Sequence, residues 1–430
     1  MARVYIETSG CSLNQSDSEV MAGLLQEEGH QITYNLEDAD TIIFNTCNVK
    51  QATEHAFFNR LGKVEERHPG KKIIIAGCIP QSAPEKVSGY SLLGTHQLTQ
   101  VSRVVAAAQN GRPLQLVEKT LSSRLNLPKL RKNSAIEIIP ILSGCLGSCT
   151  YCIVPQTRGK LVSYDADAII AQAESALQGG IREIWITSQD TGAYGKDCGS
   201  SLPALLQRLI DLPYDFRIRI GMTNPNHVQD MVPELIAIYG SEKMFKFLHL
   251  PVQSGNDRVL RKMWRAYTTG EYTHIVEEFR RAIPDITIST DMIAGFPTET
   301  DEEFLDSLRL IEQTRPDVLN ISRFGPRPNT RAAAMEQVQG SVTKDRSRRM
   351  TALSRRISLE NNRRWLGWRG SILIDEQGKG NTMVGRNFAY KPVVVEGSHP
   401  LGSMLDVEIK EATYYDLRGT RISGMPLQRP

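Results

Sequence analysis

Cys145, Cys149 and Cys152 lie in the run Gly-Cys-Leu-Gly-Ser-Cys-Thr-Tyr-Cys, a C-x3-C-x2-C triplet with an aromatic, Tyr151, before its last cysteine. Three thiolates in one tight loop suit three irons of a cubane cluster and leave the fourth iron open. A fully ligated cluster passes electrons, whereas an iron with a free corner can bind and split a molecule. Ferredoxin-type clusters use four cysteines, and a structural zinc site needs a fourth ligand close by. No such ligand lies near Cys152. Three further cysteines, Cys11, Cys47 and Cys78, are scattered in sequence but equivalent in position, each just beyond an apolar run. One such cysteine alone is most often a small buried hydrophobe. Three at the ends of parallel strands are brought to one sheet edge, where open α/β sheets bind ligands, and a second cluster site is the better reading. Cys198, in Gly195-Lys196-Asp197-Cys198-Gly199, lacks a partner in this pattern and reads as an incidental loop cysteine.

The elements that must position these residues follow from the apolar pattern. Runs at 136–141, 184–187, 216–220, 245–250, 286–292 and 318–324 read as six strands. Between them lie stretches of helical period, one with Ile169, Ile170, Ala173, Ala176 and Leu177 on one face and a stop at Gly179-Gly180. Another opens at Thr300 with Asp301, Glu302 and Glu303, which suits a helix N-terminus. Such alternation means a parallel sheet, here a partial or full barrel over residues 136–364, with an open doubly wound sheet as the alternative. The cysteine loop then follows the first strand, at the C-terminal face where barrel chemistry sits. Residues 1–111 read as a separate open α/β sheet domain with strands at 4–7, 41–45 and 72–76 and a weaker one near Leu92. Its first helix is predicted to open on the capping-box pattern Ser16-Asp17-Ser18-Glu19.

Length and composition bound the rest. At 430 residues with a charged fraction of 23% the chain is an ordinary globular protein of about three domains. No apolar run approaches the roughly 18 residues of a membrane span, and the start has no signal-peptide stretch. Seven clustered cysteines argue against a secreted disulfide framework and fit a cytoplasmic, reducing location. The net charge of +3 is too small to argue for nucleic acid, so any basic surface must be local. Residues 112–135, with Lys119, Arg124, Lys129, Arg131 and Lys132, read as a polar linker. Residues 344–369 carry nine basic residues, Arg363 and Arg364 among them, around an apolar stripe of Met350, Leu353 and Ile357. A solvated helix face and a nucleic-acid contact are about equally good readings of that run. Short strands with Gly-rich turns from residue 365 to about 425 predict a small closed β-barrel, a type that often binds RNA.

Cysteines at three strand ends, a C-x3-C-x2-C barrel and a short β module together resemble the methylthiotransferases, a family of radical S-adenosylmethionine (SAM) enzymes. The resemblance covers the chain and rests also on Ser9-Gly10-Cys11 with Asn14 and Ser16, Asn45-Thr46-Cys47, Gly77-Cys78, Pro155, Arg158-Gly159, the run 249–255 (HLPVQSG) and the run 291–300 (DMIAGFPTET). It implies an N-terminal domain, a partial (β/α)6 radical SAM barrel and a C-terminal TRAM domain, an RNA-binding β-barrel. Gly144-Cys145-Leu146, Tyr151 and the run 187–195 (TSQDTGAYG) look most like the archaeal and eukaryotic branch, which methylthiolates N6-threonylcarbamoyladenosine beside the tRNA anticodon. The chain ends at Pro430 without the hydrophobic tail of animal members, which fits the archaeal type.

The resemblance further implies two [4Fe-4S] clusters and SAM. Cys145, Cys149 and Cys152 would hold the cluster that cleaves SAM to a 5′-deoxyadenosyl radical; Cys11, Cys47 and Cys78 would hold the one that supplies sulfur. The target, an aromatic C–H bond at C2 of adenine, lies beyond any side-chain base. Tyr151 and the loop Gln189-Asp190 are the expected SAM contacts, with Gln253 and Ser254 either reaching SAM or substrate or merely forming a turn at Gly255. Arg158, Arg217, Arg219 and Asp291 are candidate substrate contacts, with Arg363 and Arg364 for RNA. Arg158 is expected to meet a phosphate or carboxylate. Arg217 and Arg219 are expected to point inward, toward a carboxylate of SAM or the threonyl group. The partners implied are tRNA, an electron donor and an unspecified sulfur donor. The same chemistry on a ribosomal-protein aspartate or on isopentenyladenosine is the nearest alternative. An RNA-binding or sensing protein without turnover, or a radical enzyme without sulfur insertion, stands further off.

Overall fold

In the N-terminal domain the inner strands Thr41–Thr46, Lys72–Gly77 and Ser91–Gly94 are apolar without alternation, as expected of strands covered on both faces. Thr41–Thr46 is buried along its whole length. The computed structural model describes residues 1–120 and 123–422, so the expected end of the last domain at residue 425 lies outside the described residues. Six strands pair in parallel in the order Gln31–Thr33, Arg3–Thr8, Thr41–Thr46, Lys72–Gly77, Ser91–Gly94, Gln115–Leu116. Helices Ser12–Glu27 and Val101–Gln109 pack on one face and Gln51–Arg67 on the other. The chain direction of this doubly wound order reverses between Arg3–Thr8 and Thr41–Thr46, and such sheets bind ligands at the carboxyl ends beside the reversal. The two edge strands, of three and two residues, are too short to leave a pattern in the sequence. The first helix starts at Ser12 with Cys11 as its N-cap, not at Ser16. The capping-box reading is therefore corrected: Ser16, Asp17, Ser18 and Glu19 are buried inside the helix, where Asp17 and Glu19 pair with other segments.

The six central strands are Ile136–Pro140, Glu183–Thr187, Arg217–Ile220, Phe247–His249, Thr287–Ala294 and Val318–Arg323. They form two three-stranded parallel sheets, joined by the parallel bridge between Ile218 and Met244 and by the Thr223 amide donating to the His249 carbonyl at 2.9 Å. Among the described residues no pairing joins the first strand to the last, so the barrel is partial. Helix Asp301–Thr314 starts with both bonds of a capping box, between Thr300 and Glu303. The long helix Gly340–Arg363 buries Met350 and Ile357 against the barrel core.

The last five strands close a small antiparallel-rich barrel around Ile372, Ile374, Val393, Val407 and Leu417. It seats on the starting ends of the central strands. Tyr390 packs its ring edge-on to Phe245 at 4.8 Å and tilted against Phe247 at 5.1 Å, and Lys391 donates to Asp317 at 2.7 Å. The β-barrel thus lies at the opposite end of the central barrel from the cysteine loop. The segment expected to be a polar linker instead ties the first two domains together. Arg124 is buried on Asp17, and Lys129 is buried between Glu137 at 2.7 Å and Glu19 at 3.6 Å. Among the described residues no helix is long and apolar enough to cross a membrane.

Candidate functional site

The Cys145–Cys152 loop leaves the first barrel strand at the C-terminal face. Its backbone folds back on its own sulfurs: the Gly147 amide donates to Cys145 Sγ at 3.2 Å and the Val154 amide to Cys152 Sγ at 3.4 Å. Arg265 donates from Nη1 to Cys149 Sγ at 3.2 Å. A Cβ on Gly147 would lie 3.3 Å from Cys145 Sγ, so a side chain there would crowd the sulfurs. Burial pushes the Cys145 thiol up to about 11 and that of Cys152 up to about 12. These are sulfurs that need cationic neighbours or metal to be thiolates. Among the described residues no three His, Cys, Asp or Glu side chains are grouped to hold one metal ion. A cubane asks for a different arrangement, one thiolate at each of three corners.

The second group forms where three adjacent strands end. Cys11 follows Arg3–Thr8, Cys47 follows Thr41–Thr46, and Cys78 follows Lys72–Gly77. Asn14 Oδ1 lies 4.0 Å from Cys11 Sγ and 3.9 Å from Cys78 Sγ. Gly10, at φ +111°, brings its loop so near Cys47 that a Cβ would sit 2.6 Å from the cysteine Cβ and 3.0 Å from its sulfur. Glycine is required there by both conformation and space. Arg158, supplied by the barrel, donates from Nη2 to Asn14 at 2.7 Å and lies 3.8 Å from Cys78 Sγ; its Nη1 meets Asp17 at 2.9 Å. Arg124 pairs with the same carboxylate. Two buried guanidiniums therefore share one buried carboxylate, leaving one positive charge beside Cys78. Nearby His96 does not add to it, because burial, then Arg124 and Arg158, hold its ring down to about 4.

Both groups open toward the same end of the barrel. Ser12, next to Cys11, bonds Thr187 at 2.7 Å, where the second barrel strand ends. The loop after Cys47 is pinned to the barrel by Arg327, which donates to Glu54 at 2.8 Å and to the Val49 carbonyl at 2.9 Å. The five-residue helix Val154–Arg158 runs from the Cys152 sulfur to the Cys78 sulfur. Further into the barrel, Asp291 is bonded by His249 at 3.1 Å and Asn320 at 2.8 Å. Burial pushes its carboxyl up, but the bonds from His249 and Asn320, with Lys50 nearby, leave it below the usual carboxylate range.

Several sequence-predicted contacts sit differently. Arg158 does not face a phosphate; it is spent on Asp17 and Asn14. Asp190 is fully buried and accepts from the Asn224 amide at 3.0 Å, Asn224 Nδ2 at 2.6 Å and His227 at 2.7 Å, so no edge of it is left for SAM. Through Asn224, which accepts from Arg265 at 2.5 Å, Asp190 instead steadies the arginine at Cys149. Ser254 is buried and accepts from the Asn256 amide, the turn-forming role. Gln253 holds a left-handed backbone, φ +74°, while its amide and carbonyl bond Asp291 and Ile293. Tyr151 packs edge-on to Phe296 at 6.3 Å. Gln189 keeps Oε1 buried and without a partner among the described residues. Arg219 does point inward, but at the wrong end: Trp185, Phe247 and Tyr390 surround its guanidinium at 5.0 to 5.5 Å. Arg217 pairs with Asp215 on the outside. The basic helix is neutralised in part, Arg346 by Glu299 and Asp301, Arg348 by Asp345 and Arg356 by Glu312 and Glu360, and Arg364 lies 3.6 Å from Asp285. Arg363 is exposed. Arg265, Asn224, His227 and Lys50 escape the sequence reading.

Comparison with known proteins agrees with this architecture. Residues 3–92 match Uncharacterized protein family UPF0004, residues 139–311 the Radical SAM superfamily and residues 369–422 the TRAM domain. The chain is 43% identical over 415 residues to a probable threonylcarbamoyladenosine tRNA methylthiotransferase of Methanothermobacter thermautotrophicus, covering 96% of this chain and 97% of that one. It is 38% identical to the threonylcarbamoyladenosine tRNA methylthiotransferase of Homo sapiens, covering 100% of this chain and 75% of the human protein. Among solved structures, the radical SAM methyltransferase TsrM of Kitasatospora setae superposes with a TM-score of 0.56 at 13% identity, over 77% of each chain, a likeness of fold.

Proposed function

The chain belongs to the threonylcarbamoyladenosine tRNA methylthiotransferase family, and on that premise we infer that its two cysteine triads hold separate iron–sulfur centres serving one adenine. It is a radical SAM enzyme of tRNA, and the target is C2 of N6-threonylcarbamoyladenosine beside the anticodon. The observation that carries the two-centre reading is the charge balance at Cys78. A cubane on three thiolates is anionic, and the surplus positive charge of Arg124 and Arg158 over Asp17 is what a buried anion needs.

When bound, the clusters and SAM supply the radical, the sulfur and the methyl group that an unactivated aromatic C–H bond demands. The chain's own residues hold and orient. Cys145, Cys149 and Cys152 would ligate one cluster, with two backbone amides and Arg265 stabilising negative charge on the sulfurs. Gln189, through its unpartnered buried oxygen, is the acceptor for the SAM amino group. Cys11, Cys47 and Cys78 would ligate the other cluster, at the end of a sixteen-residue helix whose partial positive charge favours an anion. Asp291, kept ionised by His249 and Asn320, is the acceptor facing the substrate side of the barrel. An electron donor and a sulfur donor are required; a cytoplasmic setting suits both.

The test is direct. With its centres rebuilt anaerobically, the enzyme is given SAM, a reductant and tRNA bearing or lacking the threonylcarbamoyl group, and the nucleosides are analysed by mass spectrometry. A methylthio gain on the modified tRNA alone is expected. Release of 5′-deoxyadenosine with no gain on either tRNA would reject the substrate and leave the radical chemistry standing.

A further inference from the structure

Trp264 occupies a position that ordinarily belongs to glycine. Helix Asp257–Lys262 ends in a turn in which the Arg265 amide donates to the Leu260 carbonyl at 2.9 Å and the Trp264 amide to the Arg261 carbonyl at 3.0 Å. That pair of bonds puts residue 264 in the left-handed region, at φ +57°, where bulky side chains are rare and glycine is favoured. The indole gains no core in return: it is 45% exposed. Instead the guanidinium of Arg331 lies 3.8 Å over the ring.

This exposed pair is indexed to the cysteine loop from both sides. Met263 and Lys262, preceding Trp264, accept from the Thr150 amide at 3.1 Å and its hydroxyl at 2.9 Å. Ala332, following Arg331, donates to the Thr150 carbonyl at 2.9 Å. Arg265, the next residue after Trp264, touches Cys149. The charge at this face is also unneutralised. Among the described residues neither Arg331 nor Arg261, both exposed, has a carboxylate at ion-pair distance, whereas Arg346, Arg348 and Arg356 of helix Gly340–Arg363 are paired. An exposed aromatic flanked by unneutralised arginines fits an unpaired nucleotide, stacked on the ring with its phosphates near the guanidiniums.

We propose that Trp264 and Arg331 form a stacking platform for an unpaired nucleotide of the substrate RNA adjoining the base that enters the barrel. The proposal rests on the tRNA reading above, and its test separates the two. Full-length enzyme with rebuilt centres is titrated with threonylcarbamoyl-bearing tRNA as wild type, Trp264→Gly, Trp264→Phe and Arg331→Ala. Glycine suits the backbone at 264, so that variant should melt no lower than wild type. It should bind tRNA about five- to one-hundred-fold more weakly. Phenylalanine should restore most of the affinity, and Arg331→Ala should fall between. Bound tRNA should also shield one tryptophan more from acrylamide quenching in the wild type than in Trp264→Gly. Equal tRNA affinity of wild type and Trp264→Gly overturns the platform and leaves the substrate reading intact. No tRNA binding by the wild type overturns that reading itself. Unchanged RNA binding with slower reduction by a protein electron donor assigns the face to that donor and overturns the platform.

Discussion

Arg265 shows how a single residue shapes a centre without ligating it. Its guanidinium is buried, held by Asn224 and Tyr267, and donates to Cys149 Sγ. Asn224 in turn is clamped by Asp190, and Asp190 by His227, so the cation is fixed rather than free to swing away. A fixed positive charge on a thiolate ligand favours the reduced cluster. Arg265→Gln should therefore lower the midpoint potential of the SAM-binding centre by roughly 60–130 mV, the worth of a charge-assisted bond. Potentiometric titration monitored by electron paramagnetic resonance reads this, and an unchanged potential would deny Arg265 the role. Both triads were visible in the sequence by position, one through its C-x3-C-x2-C spacing and the other through its place just beyond three strands. Arg265 was not visible: it follows a helix end in Lys-Met-Trp-Arg-Ala-Tyr, where any exposed arginine would read the same. Arg158 was noticed, but with the wrong partner, since a buried carboxylate 141 positions away leaves no local trace.

Elements carry the next level. The strands were legible because their buried positions demand apolar residues, continuously in Ile136–Pro140 and at alternate positions in Arg217–Ile220, and all six barrel strands fall where the apolar segments do. The start of the first helix was not. Asp17 and Glu19 look like exposed capping residues until Arg124, Arg158 and Lys129 are brought to them by distant segments. The same blindness made a linker of residues 112–135, where Arg124 and Lys129 meet buried carboxylates. Gly23 marks how tightly this segment lies on the helix: a Cβ there would sit 2.6 Å from the Lys129 amide nitrogen. Gly23→Ala should therefore push the segment off the helix and cost about 1–3 kcal/mol, despite the better helix propensity of alanine. Chemical denaturation would show it; a variant as stable as wild type would mean the segment yields freely.

At the scale of the molecule, the N-terminal domain caps the reactive end of the barrel while the TRAM domain seats on the other. The TRAM seat contains a buried acid pair. Burial, then Asp375 alongside, pushes the Glu183 carboxyl up to about 8. In an unfolded chain a glutamate titrates near about 4.3. Between those values the folded protein keeps a proton that the unfolded chain has released, so stability falls as pH rises from about 5 to about 8, by at most about 1.4 kcal/mol per pH unit. Glu183→Gln keeps the neutral form throughout, and its thermal midpoint should decline less over that range than that of the wild type. Parallel declines would place the proton elsewhere.

Two centres with separable duties, facing one substrate, is the central claim, and Cys47→Ala tests it most directly. Cys47 belongs to the N-terminal triad, and among the described residues no hydrogen bond ties it to the Cys145–Cys152 loop, so the rebuilt variant should bind about four irons where the wild type binds about eight. It should still release 5′-deoxyadenosine from SAM, and it should form no methylthio product on threonylcarbamoyl-bearing tRNA. Wild-type iron content with product still formed would contradict a second centre at Cys11, Cys47 and Cys78.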